Sequence, residues 1–145
     1  MKSSPQPGDT HQLEFVVPRD KTVPYLYPEF DESARMPEVF ATGFLVGLLE
    51  WACIEALRPH LEEGEGSLGT AISASHLAPT PPGMKVTVTA TCLSVTGRTC
   101  EWRVEARDER DLISEGTHSR AVVSLERFQK KLSEKVATVS PGSMR

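Results

Sequence analysis

Apolar residues recur along the chain with two different periods, and the changes of period mark out its elements. Leu13, Phe15 and Val17 occupy alternate positions and predict a short strand, which Pro18 ends. From Gly43 to Leu57 the spacing becomes helical. Phe44, Leu48, Trp51, Ala52 and Ile54, together with Leu45, Leu49 and Cys53, make this stretch apolar nearly all the way round, so the helix is expected to be buried. Gly47 in its middle lowers helix propensity by about 1 kcal/mol relative to Ala and leaves room for another backbone to approach. Pro59 stops the helix, and the acidic stretch EEGEGS reads as a solvated turn region.

Alternation then returns. Ser67 to Leu77 forms a predicted strand closed by the turn Pro79-Thr80-Pro81-Pro82-Gly83. In the next, Val86, Val88, Ala90 and Cys92 alternate with Thr87, Thr89 and Thr91. After a turn at Gly97, Trp102, Val104 and Ala106 alternate with Glu101, Arg103, Glu105 and Arg107, a half-buried strand with a charged outer face. A last strand is expected from Leu112 to Leu125, and residues 126–136 read as a short basic amphipathic helix. Residues 18–38 fit neither period. Four prolines are scattered there among Tyr25, Tyr27 and Phe30, as suits a lid or binding loop.

One strand, a long buried helix and a meander of antiparallel strands describe an α+β domain. The sheet must wrap the central helix, since nothing else is available to cover it. That is the arrangement of the hot-dog fold, although periodicity alone leaves other α+β sheets open. The domain is expected over 11–136, after a disordered lead-in (1–10) and before a flexible tail (137–145).

The length of 145 residues suits one domain able to bury a core unaided. A net charge of −4 argues against a nucleic-acid partner. The longest apolar run, Phe40 to Leu57, is broken by Thr42, Glu50 and Glu55, so no membrane span is expected, and MKSSPQPGDT carries no secretory signal. Three cysteines, Cys53, Cys92 and Cys100, are odd in number and lack zinc spacing, which points to a reducing, cytoplasmic setting and no metal.

Few residues are candidates for chemistry. Glu50 lies among apolar neighbours on the central helix, so it must be paired, hydrogen-bonded or protonated, or else face a solvated stripe. His76 stands near the end of a strand before the proline-rich turn; His60 and His118 compete with it, and His118 shares a strand face with Arg120. Thr42 reads first as the cap of the helix, with a substrate contact as the functional alternative. On a regular helix Thr42 and Glu50 stand about 12 Å apart, so they share a site only if the chain bends back or a second subunit supplies one of them. Gly69 inside a strand marks a bulge or a close approach to the backbone, and Arg120 suits a carboxylate or anionic partner.

The runs EFVVPRDKTV, LYPEF, MPEVFATGFLVGLLEWAC, GEGSLGTAI, SHLAPTPPGMKVTVTA and GTHSRAVVSLERF, in this order across residues 12–130, closely resemble the fluoroacetyl-CoA thioesterase family of hot-dog enzymes. The resemblance implies a homodimer that hydrolyses an acyl-CoA thioester, with CoA as part of the substrate and no cofactor. It implies a catalytic set of Thr42, Glu50 and His76, with Gly69 and Arg120 beside the acyl group. Glu50 would serve as nucleophile or as the base for water, His76 would transfer protons, and the Gly69 N–H would meet the oxyanion. Lys85, Arg98, Lys130 and Lys131 are the basic residues on offer to the CoA phosphates. The family carries lid phenylalanines, one just before the PEVF run, where this chain has Met36. Methionine fills space adaptably, so Met36 bears on selectivity for the fluorinated acyl group. The alternatives are a generalist short-chain acyl-CoA thioesterase and a non-catalytic acyl-CoA-binding module. A hydratase of this fold would need an aspartate at a comparable helix position, which this chain lacks.

Overall fold

The computed structural model describes residues 1–139. Its five strands are β1 (Thr10–Val16), β2 (Glu65–Ala74), β3 (Lys85–Thr96), β4 (Thr99–Arg107) and β5 (Leu112–Ser124). They form one antiparallel sheet in the order β1-β3-β4-β5-β2. The helices are α1 (Asp31–Ala34), the central α2 (Thr42–Leu57) and α3 (Leu125–Ala137).

The alternating residues of β3 and β4 build the core. Val86, Val88, Ala90, Cys92, Cys100, Trp102, Val104 and Ala106 are all buried, and they meet Leu45, Leu48, Leu49, Ala52, Cys53 and Leu57 of α2. Burial of each such Val or Leu is worth about 1.5–3 kcal/mol, which is what holds the helix in the curve of the sheet. The wrapping is incomplete. Trp51 is 43% exposed and Ile54 38%, so part of the apolar girdle of α2 faces outward.

β5 departs from this pattern. Its inward positions run Ser114, Gly116, His118, Arg120 and Val122, so a buried strand face carries an imidazole and a guanidinium. Beside it, β2 forms an edge of the sheet and is exposed from Gly69 through Ala74, with no charged residue between Glu65 and His76.

Residues 18–38, predicted to lack a regular period, contain two 3-10 turns and the single helical turn of α1. The segment is pinned at both ends. Val23 N–H donates to Val39 O (3.0 Å), Ala41 N–H donates to Lys21 O (3.1 Å), and Leu26 packs into the space left by the missing Cβ of Gly43. The first residues, expected as a disordered lead-in, lie along the domain: the Met1 ammonium donates to Glu65 Oε2 (3.1 Å) and Gly8 N–H to Cys92 O (2.8 Å). Of the expected tail, 140–145 lie outside the described residues.

Candidate active site

Thr42, Glu50, Gly69, His76 and Arg120 fall into two clusters. In the first, Glu50 projects from α2 toward the polar inner face of β5. Arg120 Nη1 donates to Glu50 Oε1 at 3.2 Å, while Nε and Nη2 of the same guanidinium donate to Ser67 Oγ (2.9 Å) and Ser67 O (2.8 Å) on β2. The Arg120 side chain is 4% exposed and that of Glu50 is 38% exposed, so the arginine is fixed and the carboxylate reaches the surface. Of the readings open to Glu50, the bridge to an arginine and a solvent-facing position are observed together.

Gly69 completes this cluster. A Cβ there would come within 2.5 Å of Glu50 Oε1, 3.1 Å of His118 Cε1 and 3.3 Å of Arg120 Nη1. The strand also changes register between Gly69 and Ala71, so both meanings of a mid-strand glycine apply, a bulge and a close approach.

Thr42 and His76 form the second cluster. The cap position of α2 belongs to Ala41, which offers no side-chain bond to the helix, and Thr42 is the first helical residue. The expected capping role therefore gives way to another contact. Thr42 Oγ1 and His76 Nδ1 are 2.7 Å apart, because the segment after β2 returns alongside the start of α2. The pair lines a cavity of about 250 Å³ with Val23, Val39, Phe40, Leu77 and neighbouring residues. Burial holds the His76 imidazole below its usual range, partly opposed by a hydrogen bond to the backbone of Ala78, and its Nε2 is buried without a side-chain partner among the described residues.

Thr42 and Glu50 lie on the same helix, Thr42 at its first turn and Glu50 two turns on, about 12 Å apart along its axis. Met36 follows α1, is 53% exposed, and does not line the Thr42–His76 cavity. Among the basic candidates for phosphate, Arg98 is already engaged by Glu65 (2.6 Å) and Val122 O (3.2 Å), and Lys85 stands 3.8 Å from Glu14. Lys130 is exposed on α3, and Lys131 lines a small cavity there with Arg127 and Phe128.

One residue of the first cluster, Ser67, carried no functional reading from the sequence, and His118 entered only as a competitor of His76. Alternation along THSRAV placed His118 beside Arg120, but only the β2–β5 register brings Ser67 to the guanidinium. The cysteines are buried thiols, and burial pushes Cys53 up to about 12, out of the nucleophilic range. Among the described residues no cluster of three metal-binding side chains occurs, and no helix is long and apolar enough to cross a membrane.

Comparison with known proteins matches these residues to a family. The model of the fluoroacetyl-CoA-specific thioesterase family (FlK) matches residues 25–126. The chain is 57% identical over 135 residues to the fluoroacetyl-CoA thioesterase of Streptantibioticus cattleyicolor, covering 93% of this chain and 97% of that protein. The solved structure of the fluoroacetyl-CoA thioesterase FlK superimposes with a TM-score of 0.90 at 56% identity, over 92% of this chain and 98% of that one. A phenylalanine-to-alanine variant of that enzyme, crystallised with fluoroacetate and CoA, matches with a TM-score of 0.83 at 59% identity, over 85% of this chain and 98% of that one.

Proposed function

The chain belongs to the fluoroacetyl-CoA-specific thioesterase family, and on that premise we propose that it hydrolyses fluoroacetyl-CoA to fluoroacetate and free CoA. The observation that carries the reading is the meeting of Glu50 and Arg120 over a strand position whose missing Cβ leaves their polar ends room. The missing Cβ leaves space for a small acyl group beside a carboxylate, and the guanidinium offers a polar partner to its substituent. Glu50 supplies the carboxylate that drives addition of water across the thioester. The acyl carbon gains an oxygen, and the C–S bond breaks. His76, kept largely neutral by burial and bonded to Thr42, is suited to take up the proton released as water adds and pass it to the departing thiolate. The reaction needs no cofactor, and the buried free thiols suit a cytoplasmic enzyme.

The working unit we propose is a homodimer paired through the β2 edges. An uncharged, exposed edge strand is an open template for pairing. Two-fold antiparallel pairing centred near Ile72 would set Gly69 of one protomer opposite the end of β2 in the other, where its Thr42–His76 pair lies. The Glu50 cluster of one protomer and the Thr42–His76 pair of its partner then bound one site, and residues 18–38, with Met36, close over it.

The test is thiol release from fluoroacetyl-CoA and acetyl-CoA side by side. The expected result is a large kcat/KM preference for the fluorinated ester, and a loss of about 10²-fold or more in Glu50→Gln. Equal rates on the two esters would mark a generalist short-chain thioesterase, and binding without thiol release would mark a binding module.

A further inference from the structure

His118 has no part in the assignment above, yet of the four histidines it alone is buried, with 2% of its surface exposed. Its two ring nitrogens face opposite kinds of partner. Nδ1 lies 2.8 Å from Ala71 O, an acceptor only, so Nδ1 carries the hydrogen. Nε2 lies 3.0 Å from Arg120 Nη1, a donor only, so Nε2 is bare and accepts. Ser67 holds Nε and Nη2 of the guanidinium, and His118 holds the remaining corner, Nη1, which also reaches Glu50.

We propose that His118 is a positioning residue for the hydrolysis: hung from the Ala71 carbonyl at the β2 bulge, it acts as a neutral Nδ1–H imidazole that fixes Nη1 of Arg120 against Glu50 beside Gly69. The proposal rests on the reading of Glu50 and Arg120 as the reacting cluster. Each element around the ring is accounted for. α2 presents Glu50, whose Oε1 is 3.8 Å from Nε2; β4 presents Glu101; β5 presents Arg120; and β2 contributes the Ala71 carbonyl. Burial, the largest influence, lowers the His118 pKa and so favours the neutral ring, with the Ala71 bond opposing it. Protonation at Nε2 would set one N–H against another at 3.0 Å and release the guanidinium.

A histidine that merely joins β2 to β5 needs only the Ala71 bond, and its loss would cost stability without depending on Arg120. A double-mutant cycle separates the two roles. His118→Leu is expected to lower kcat/KM for fluoroacetyl-CoA about tenfold, mainly through kcat, and to have little further effect in an Arg120→Met background. His118→Gln, which retains an acceptor, is expected to recover most of the loss. Equal losses in both backgrounds, or no recovery with glutamine, overturn the proposal.

A second readout is independent of turnover. ¹⁵N spectra of the wild-type protein should show His118 protonated at Nδ1 and bare at Nε2, with Arg120 Nη signals that broaden in His118→Leu. A proton on Nε2 at neutral pH overturns the proposal, and this arm decides if the leucine variant does not fold. Wild-type protein that shows the expected tautomer but releases no CoA would instead overturn the hydrolase reading.

Discussion

Gly69 has its identity because three side chains occupy the space a Cβ would need: Glu50, His118 and Arg120. The tightest of these contacts, at 2.5 Å, is the far end of the Glu50 side chain, which is partly exposed and can move without disturbing the backbone. Gly69→Ala is therefore expected to leave folding almost intact while displacing the Glu50 carboxylate by the better part of an ångström. Misplacement on that scale costs on the order of 10²-fold in rate. Steady-state thiol release together with thermal unfolding checks this, and a large loss of stability with normal kinetics would contradict it. The same residue shows what a sequence reader can reach. An isolated glycine between Leu68 and Thr70 announces a bulge or a close approach, but the identity of what approaches belongs to α2 and β5, far away in the chain.

At the scale of elements, β2 and β5 supply most of the cluster, and Gly116 of β5 lies tight against β2. A Cβ at Gly116 would overlap the Ser73 carbonyl oxygen and come within 2.7 Å of Ala74 Cα, both backbone atoms of the neighbouring strand. No rotamer change relieves such a clash. Gly116→Ala is expected to destabilise the fold by about 3 kcal/mol or more, measured as a shift in the urea midpoint at unchanged slope. The contrast with Gly69 follows from what each absent Cβ would strike. Strands β3 and β4 were legible to within a few residues, because strict alternation of Val, Ala, Cys and Trp with Thr, Glu and Arg has one physical solution on a half-buried sheet. The helix was legible too, within one residue at its start. Its cap was not: Thr42 has the right chemistry for capping, and the approach of His76 redirects its hydroxyl.

At the scale of the whole molecule, Thr42 and Glu50 stand about 12 Å apart along α2, and a site made of both their clusters calls for a second copy of the chain. Subunit complementation tests this directly. Glu50→Gln and His76→Ala are each expected to be nearly inactive as homodimers. After equimolar mixing and exchange, half of the dimers are mixed and each carries one intact site, so activity should return to about a quarter of wild type. No recovery, with mixed dimers demonstrated by mass, would mean that one protomer holds the whole site. The sequence by itself determined the order of the elements, the buried central helix and the candidate side chains, since periodicity and residue chemistry are local properties of the chain. Only the tertiary structure decided which of these side chains meet. It placed Arg120 rather than His76 on Glu50, gave Thr42 to His76, and brought Ser67 to the guanidinium. The physical reason is that hydrogen bonds between residues some 30 to 70 positions apart depend on strand register and helix placement, which no local pattern encodes.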